Sequence, residues 1–231
     1  MRPQLIAFDL DDTLWPNRDV MQAAEAAQYR ALCERVPALS EHLSQAEMSA
    51  PRLALLEADP SYYRRISDLR RESIVQLLTP WVDNEADRQQ LADQVFQQFW
   101  QARQRVTPFT DTEKALKRLG QHFPLAAWSN GNADLSTIGL AHHFSHITRA
   151  EVLGAAKPDP EFFRRALAEH HLPPEAVLYV GDHLQHDIES AANCGLMTAW
   201  IYRDADATVP HQATWACEDL HQLAEQLLSP A

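Results

Sequence analysis

The sequence predicts an α/β protein in which a doubly wound parallel sheet carries an inserted, all-helical domain. Two observations lead to this fold class. Short apolar segments alternate with amphipathic ones over residues 1–16 and 107–231, which is the pattern of parallel strands buried between helices. In addition, all six glycines lie between Gly120 and Gly195. The chain therefore changes in composition, and its glycine-free part includes a long block of helix-forming residues at 17–106.

The alternating part begins with a strand and continues as pairs of a helix and a strand. Each predicted strand is a short apolar segment that is bounded by polar or turn residues. In chain order the strands are QLIAF (4–8), PLAAW (124–128), HITRA (146–150), AVLYV (176–180), LMTAWIY (196–202) and a short candidate at ATWA (213–216).

Amphipathic segments between these strands predict the covering helices. Thr110 and Glu113 have the spacing of a capping box, and Asp159 before Pro160 is typical of an N-cap followed by a first-turn proline. The helices are TDTEKALKRL (110–119), ADLSTIGLAHHF (133–144), PEFFRRALAEHH (160–171), LQHDIESAANC (184–194) and a C-terminal helix.

The block between Pro16 and Pro108 predicts a bundle of about four helices. Its glutamine-rich segment, residues 87–104, keeps apolar side chains at helical spacing, so we interpret it as an amphipathic helix. Four prolines fall where helices would end, because proline interrupts helical hydrogen bonding: Pro37, Pro51, Pro60 and Pro80. We therefore predict an α/β core domain made of residues 1–16 and 107–231, and a helical domain at 17–106.

The overall charge excludes one class of partner. With 20 Lys and Arg against 32 Asp and Glu, the formal net charge is −12, which disfavours binding to a nucleic acid. A small phosphorylated substrate stays compatible, because a local cationic site with a bound metal overrides the global charge. We also expect no membrane association, since no apolar run approaches membrane length and no signal-peptide segment opens the chain.

The cysteines indicate the compartment. Cys33, Cys194 and Cys217 are odd in number, far apart and without a CxxC motif, which favours a reduced, cytoplasmic environment. We expect a monomer or a homodimer there.

The segment FDLDDTLW (8–15) follows the first predicted strand and contains Asp9, Asp11 and Asp12. Carboxylates this close to a hydrophobic core are costly unless something cationic compensates them. Either a cation binds there or the acids splay apart into solvent. Because ligands of parallel α/β sheets bind beyond the carboxyl ends of the strands, the residues that follow the other strands decide between these two readings.

Four segments that are far apart in sequence bring complementary groups to that edge of the sheet. Oxygens of Asp9 and Asp182 are hard ligands of the kind that Mg²⁺ prefers. Ser129, backbone N–H groups and Lys157 can then hold the remaining oxygens of a phosphoryl group. Ser129 has an alternative role as a helix cap, although Asn132 is favoured as the N-cap. The residues that follow the later strands are Ser129, Asn130, Lys157, Asp182 and Asp187.

These residues lie in four motifs, DLDDT, the SN of WSNGN, the lysine of AAKPDP, and GDHLQHD. Their identity and order resemble those of the haloacid dehalogenase (HAD) superfamily, and the chain is most similar to a HAD-type phosphatase. The resemblance covers the whole chain outside the helical block. It implies a Rossmann-like core and a helical cap of the family's first type, which would close over the site and select the leaving group.

The resemblance also implies an aspartyl-phosphate mechanism with Mg²⁺ as cofactor. Asp9 would be the nucleophile. Asp11 would act as general acid and then as general base, and its backbone carbonyl would bind the metal. Asp12 is interpreted as a turn residue, and Trp15 is expected to pack where the inserted domain departs. The metal ligands would be Asp9, Asp11 and Asp182, with Asp187 orienting a metal-bound water or Lys157; the phosphate-binding residues would be Thr13, which also orders the loop, Ser129, Asn130 and Lys157.

The resemblance narrows the substrate to a small phosphorylated metabolite. DLDDTLW and SNGN are most similar to the motifs of phosphatases that act on FMN or ribityl-type phosphates, while sugar phosphates, nucleoside monophosphates and phosphoglycolate stay open. Two alternatives share the fold, a hydrolytic dehalogenase and a phosphomutase. Asp11 argues against the first, because dehalogenases do not carry this acid. The alternative from another class is a non-catalytic HAD-like binding protein.

Overall fold

The computed structural model describes residues 2–203 and 213–229. The chain divides into two compact units, one formed by Met1–Pro16 and Thr107–Ala231, the other by Asn17–Val106. The core range predicted from the sequence also includes Met1, residues 204–212 and residues 230–231, which lie outside the described residues.

Among the described residues of the first unit, six strands form a central parallel sheet in the order β3-β2-β1-β4-β5-β6. β1 lies inside the sheet, where Ile6 pairs with Leu125 of β2 and with Leu178 of β4. Every residue of β1, β2 and β4 is buried, which explains why these strands are continuously apolar instead of alternating. The predicted doubly wound α/β fold is therefore confirmed. The strands are β1 Leu5–Phe8, β2 Leu125–Ser129, β3 His146–Arg149, β4 Val177–Gly181, β5 Met197–Ile201 and β6 Trp215–Cys217.

Four α-helices make up most of the second unit, as the spacing of its prolines indicated. Its core contains apolar side chains from different helices, among them Leu32, Ile74 and Phe99, which are at most 1% exposed. The Asn84 side chain begins the last of these helices by accepting the N–H of Asp87 at 3.0 Å. The helices are α1 Asn17–Arg35, α2 Ser49–Ala58, α3 Ile66–Leu78 and α4 Glu85–Arg103.

In the described part of the first unit, six further helices cover the sheet or connect its strands. The fourth of them begins as predicted, because the Asp159 carboxylate accepts the N–H of Glu161 at 2.9 Å and Pro160 occupies the first turn. The third, Ala150–Leu153, had not been predicted. The helices are α5 Thr112–Gly120, α6 Leu135–Ile138, α7 Ala150–Leu153, α8 Pro160–His170, α9 Ser190–Asn193 and α10 Leu220–Leu228.

Two helices differ from their predictions, one in where it ends and the other in how it begins. The helix expected over 133–144 stops at Gly139, because a φ of 92° at this glycine ends α6. The helix expected over 184–194 starts as a π-helical segment, Leu184–Glu189, and only then continues as α9. Such wider turns are frequent at functional sites.

The capping predictions for two helices were wrong. Asp111, not Thr110, precedes α5, and it makes no side-chain capping bond. Its carboxylate instead accepts the N–H of Leu220 at 2.8 Å and pairs with Arg203 at 3.2 Å. Before α6, the N-cap is Asp134, which accepts the N–H of Ser136 at 3.0 Å, so Asn132 does not have the capping role predicted for it.

Within residues 2–203 and 213–229, no helix combines the length and the apolar character that crossing a membrane requires. The three cysteines are free thiols.

Candidate active site

The loop after β1 places Asp9 at the carboxyl edge of the sheet. The N–H of Asp9 donates to the carbonyl of Val180 in β4 at 2.8 Å, so Asp9 continues the strand pairing and is held in place by the backbone. The chain then turns at Asp12, whose φ of 60° lies in the left-handed region that aspartate tolerates better than most residues. The turn closes because the N–H of Asp12 donates to the carbonyl of Trp15 at 2.8 Å.

Two side chains fasten this loop. The hydroxyl of Thr13, which is fully buried, donates to Oδ1 of Asp182 at 2.9 Å. The indole Nε1 of Trp15, also fully buried, donates to Oδ1 of Asp11 at 2.9 Å. The loop is therefore tied to the end of β4 through Thr13, and the carboxylate of Asp11 is held from within its own turn.

Lys157 brings a cation into the centre of the group. Its Nζ donates to Oδ1 of Asp9 at 2.7 Å, to Oδ1 of Asp187 at 2.6 Å and to the hydroxyl of Tyr179 at 2.7 Å. Burial lowers the pKa of Lys157, but the carboxylates of Asp187 and Asp9 outweigh this effect and hold the pKa above its ordinary value. Lys157 is therefore a charged ammonium between two carboxylates.

The residues after β2 hold the Lys157 segment and end the strand. The Asn130 side chain bonds to the backbone of Lys157 twice, accepting its N–H and donating to its carbonyl, both at 2.8 Å. The hydroxyl oxygen of Ser129 accepts the N–H of Gly131 at 2.9 Å, and Ser129 is 2% exposed. The structure thus brings both residues to the site, with the Asn130 amide fixing the lysine backbone.

An acidic group completes the arrangement. One carboxylate oxygen each from Asp9, Asp182 and Asp187 lies within 4.8 Å of the others. Burial raises the pKa of Asp9 well above its usual range, although Lys157 opposes this. Burial, followed by the charge of Asp187, raises the pKa of Asp182 to about 7. One ammonium is therefore not enough to balance three buried or half-buried carboxylates.

This imbalance fits a divalent cation. All three donors are carboxylate oxygens, which suit a hard ion such as Mg²⁺ better than an ion that prefers nitrogen or sulfur ligands. Among the described residues, this is the one group of three or more acidic, histidine or cysteine side chains with such geometry. The carboxylate of Asp11 is not part of it.

Comparison with known proteins identifies the family. The family model described as "Hydrolase: haloacid dehalogenase-like hydrolase" matches residues 3–195. The chain belongs to this family. The resemblance inferred from the four motifs is thereby confirmed.

Relatives of known name include phosphatases. The chain is 30% identical to the 5-amino-6-(5-phospho-D-ribitylamino)uracil phosphatase YigB of Escherichia coli, over 87% of this chain and 84% of that protein. It is 27% identical to a phosphoserine phosphatase of Thermus thermophilus, over 87% and 89%. The prediction of an enzyme of the HAD phosphatase type is confirmed by these relatives.

A solved structure carries a different name. A crystal structure of a 2-haloacid dehalogenase from Pseudomonas syringae is 36% identical, with a TM-score of 0.90 and 98% of each chain covered. The fold of the whole chain therefore has a close counterpart among haloacid dehalogenase-like proteins.

Sequence reasoning missed Tyr179 in this HAD site. Its hydroxyl receives the bond from Lys157, lies 3.3 Å from Oδ1 of Asp187 and donates to the carbonyl of Trp128 at 3.0 Å. A signal was present in the sequence, because a hydroxyl in a fully buried strand needs a hydrogen-bond partner. That signal does not identify the hydrogen-bond partner of the Tyr179 hydroxyl.

Position 181 requires a residue without a Cβ atom, because Asp187 lies very close to it. A Cβ at this position would lie 2.5 Å from Cγ and Oδ2 of Asp187, which is far closer than van der Waals contact allows. The glycine at the end of β4 therefore lets Asp187 approach the strand and reach Lys157.

Proposed function

We propose that the protein hydrolyses phosphate monoesters of small metabolites, with Mg²⁺ as cofactor and Asp9 as the nucleophile. One observation supports this proposal most strongly. At the edge of the sheet, Nζ of Lys157 lies 2.7 Å from Oδ1 of Asp9 and 2.6 Å from Oδ1 of Asp187, next to Asp182. A carboxylate nucleophile beside a fixed ammonium suits attack on an anionic phosphoryl group.

The reaction would proceed in two displacements. First, an oxygen of Asp9 bonds to phosphorus while the bond to the leaving oxygen breaks, and Asp11 protonates that oxygen. Then a water oxygen bonds to phosphorus, the bond to Asp9 breaks, and Asp11 takes the proton of the water. Lys157 and Ser129 would hold the oxygens of the phosphoryl group throughout.

The proposed metal would be held by Asp9 and Asp182, with Asp187 beside them and the backbone carbonyl of Asp11 as a further ligand. When bound, Mg²⁺ supplies positive charge that offsets the phosphoryl oxygens. Thr13 would keep Asp182 oriented through the bond that it donates to Oδ1. Asn130 would act on the phosphate indirectly, because its amide fixes the backbone of Lys157.

For the substrate, we propose FMN or a ribityl-type or sugar phosphate. The relationship to YigB, which is named for a phosphorylated ribityl compound, supports this class. These compounds carry the phosphate on a primary alcohol, which is a poor leaving group. Their hydrolysis therefore requires the proton that Asp11 would donate.

Hydrolytic dehalogenation is the second candidate, because the similar Pseudomonas structure bears that name. Both reactions begin with attack by the aspartate. They differ in the leaving group, since a halide needs no proton and an alkoxide does. The carboxylate of Asp11 therefore favours phosphate esters, and the two candidates can be separated with substrates of each class.

The test is the release of phosphate from p-nitrophenyl phosphate and from FMN, with and without Mg²⁺, and of chloride from 2-chloropropionate. We expect phosphate release that depends on Mg²⁺ and is lost in Asp9→Asn. Asp12→Asn is the matched control, because it makes the same chemical change at the turn and asparagine also tolerates the left-handed backbone. Chloride release with no phosphate release would replace the proposal by dehalogenation, and activity that survives in Asp9→Asn would rule out Asp9 as nucleophile.

A further inference from the structure

The tryptophan at the end of the catalytic loop contacts the residue that would transfer the proton. Nε1 of Trp15 lies 2.9 Å from Oδ1 of Asp11, and the two residues are also joined as a short parallel bridge in the backbone. Asp11 is half-buried, whereas Trp15 is completely buried. A fully buried side chain thus holds one that is partly exposed.

The backbone gives this contact little freedom. The N–H of Asp12 donates to the carbonyl of Trp15, and the N–H of Leu14 donates to the carbonyl of Leu10, both at 2.8 Å. The indole therefore belongs to the same closed turn as Asp11. A group that is fixed in this way can orient its partner at a small entropic cost, because little freedom is left to lose.

A need to satisfy a buried indole does not by itself explain the contact. Trp128 is also fully buried, and its Nε1 meets no hydrogen-bond acceptor within the part of the chain that the structure describes. In the described part of this unit, two other buried indoles do have acceptors: Nε1 of Trp200 donates to the carbonyl of Asp182 at 2.7 Å, and Nε1 of Trp15 donates to Oδ1 of Asp11. Burial of an indole in this unit is therefore compatible with either arrangement, and the bond from Trp15 goes to a residue of the proposed site.

The chemistry of the indole determines how it can act on Asp11. Indole Nε1–H is a donor only, so Oδ1 of Asp11 serves as its acceptor. We propose, on the basis of the function proposed above, that Trp15 is a positioning residue that holds the carboxyl group of Asp11 through Oδ1 in the orientation needed for proton transfer.

The proton balance of both displacements is consistent with this role. As the bond from phosphorus to the leaving oxygen breaks and the bond to Asp9 forms, the carboxyl proton of Asp11 moves to the leaving oxygen. As water bonds to phosphorus and the bond to Asp9 breaks, the carboxylate of Asp11 takes up a proton from that water. Trp15 keeps its own proton and holds the carboxylate plane in both steps.

The test compares Trp15→Phe with the unchanged protein on phenyl phosphates that differ only in the para substituent. Misplacing the general acid lowers the rate more when the leaving phenol is less acidic, because its oxygen then depends more on protonation. We expect a small loss in kcat/KM for p-nitrophenyl phosphate that grows to about 10–100-fold for phenyl phosphate, since general acid catalysis is worth about 10²–10⁴-fold in total. In the Asp11→Ala background, Trp15→Phe should add no such dependence.

Trp128→Phe is the matched control, because it removes a buried indole without removing a hydrogen bond. It should lower stability and change kcat/KM by the same factor along the whole substrate series. A uniform factor for Trp15→Phe would instead show that Trp15 only packs, and would overturn the proposal.

A second measurement does not depend on turnover. The chain has six tryptophans, and the indole N–H signal of Trp15 in a ¹H–¹⁵N spectrum can be assigned as the one that disappears in Trp15→Phe. We expect this signal to move upfield and to exchange faster with solvent in Asp11→Ala. An unchanged signal overturns the proposal. If the unchanged protein hydrolyses no aryl phosphate, the proposed function fails, while this spectrum still decides whether Trp15 holds Asp11.

Discussion

Lys157 in the α/β unit and Arg70 in the helical unit are both buried cations, 5% and 7% exposed, but they have different partners. Lys157 contacts the carboxylates of Asp9 and Asp187 at 2.7 and 2.6 Å. Arg70 donates to the neutral amide oxygen of Gln28 at 3.0 Å, and its closest ion-pair contact is to Glu25 at 3.8 Å.

The pKa values follow these partners. The pKa of Lys157 is raised, because two carboxylates outweigh the effect of burial. The pKa of Arg70 is lowered by burial and then by the nearby charge of Arg52, and Glu25 only partly opposes this. Equal burial therefore does not give equal behaviour. The α/β unit has an excess of buried anions, which suits a metal and a phosphate site, and the helical unit has an excess of buried cations around Arg70.

The largest effect is expected when Lys157 is replaced by methionine, which has a similar length and no charge. Asp9 and Asp187 would then be buried without their ammonium, and breaking a buried ion pair in this way destabilises proteins by about 3–5 kcal/mol. The loss of a phosphate-binding donor should lower kcat/KM by about 10²–10³-fold. Urea unfolding and phosphatase kinetics measure the two effects, and a stability change as small as that of Arg70→Met would contradict the comparison.

Gly181→Ala tests the position of the carboxylate without removing a charge. The new Cβ would lie 2.5 Å from Cγ and Oδ2 of Asp187 and would therefore push this carboxylate away. A displacement of about 1 Å lowers activity by about 10²-fold at a well-ordered site. The control is Gly120→Ala, because its Cβ would meet only Leu125 at 3.6 Å. It should retain activity. Equal activity of the two variants would show that the approach of Asp187 to β4 is not required.

The anion excess predicts how pH and Mg²⁺ affect stability. The pKa of Asp182 is raised from 3.8 to about 7, so the folded chain binds this proton more tightly than the unfolded chain does. The free energy of unfolding of the metal-free protein therefore falls as pH rises from about 4 to about 7, relative to Asp182→Asn. Mg²⁺ should raise the melting temperature more at pH 8 than at pH 5. Parallel pH curves for the two proteins would exclude this role of Asp182.

The smallest effect is expected for Arg70→Met. Glu25 keeps an ion pair with Arg52 at 3.0 Å, so removing Arg70 leaves mainly Gln28 without its donor. Burying the guanidinium of Arg70 is itself costly, and its ion-pair contact to Glu25 is long at 3.8 Å, so we expect a change within about 1 kcal/mol. A loss of about 3 kcal/mol or more in urea unfolding would mean that Glu25 depends on Arg70.

The sequence predicted which residues meet but not how they bind each other. Asp9, Ser129, Lys157 and Asp182 could be brought together in advance, because the carboxyl ends of parallel strands share one edge. Such reasoning locates residues at the level of strands and loops, and it does not reach individual hydrogen bonds.

Three particulars show where this limit lies. Trp15 reaches Asp11 across a turn in which Asp12 adopts a φ of 60°, and no residue pattern required aspartate to do so. The amide of Asn130 binds the backbone of Lys157, a pairing that depends on two loops 27 residues apart. The sequence does not indicate whether the helix continues through Gly139 or ends there, since glycine is tolerated both inside a helix and at its end.

The interior place of β1 also determines when the protein can become active during synthesis. Its two neighbours are β2 and β4, residues 125–129 and 177–181. The strand that precedes Asp9 is therefore synthesised before either of the strands with which it pairs. The helical unit is continuous from Asn17 to Val106 and can form from its own local contacts in the meantime, whereas pairing of distant strands is slow. A nascent chain that ends before Asp182 therefore contains the residues of the whole helical unit but lacks Asp182 and Asp187 of the proposed site.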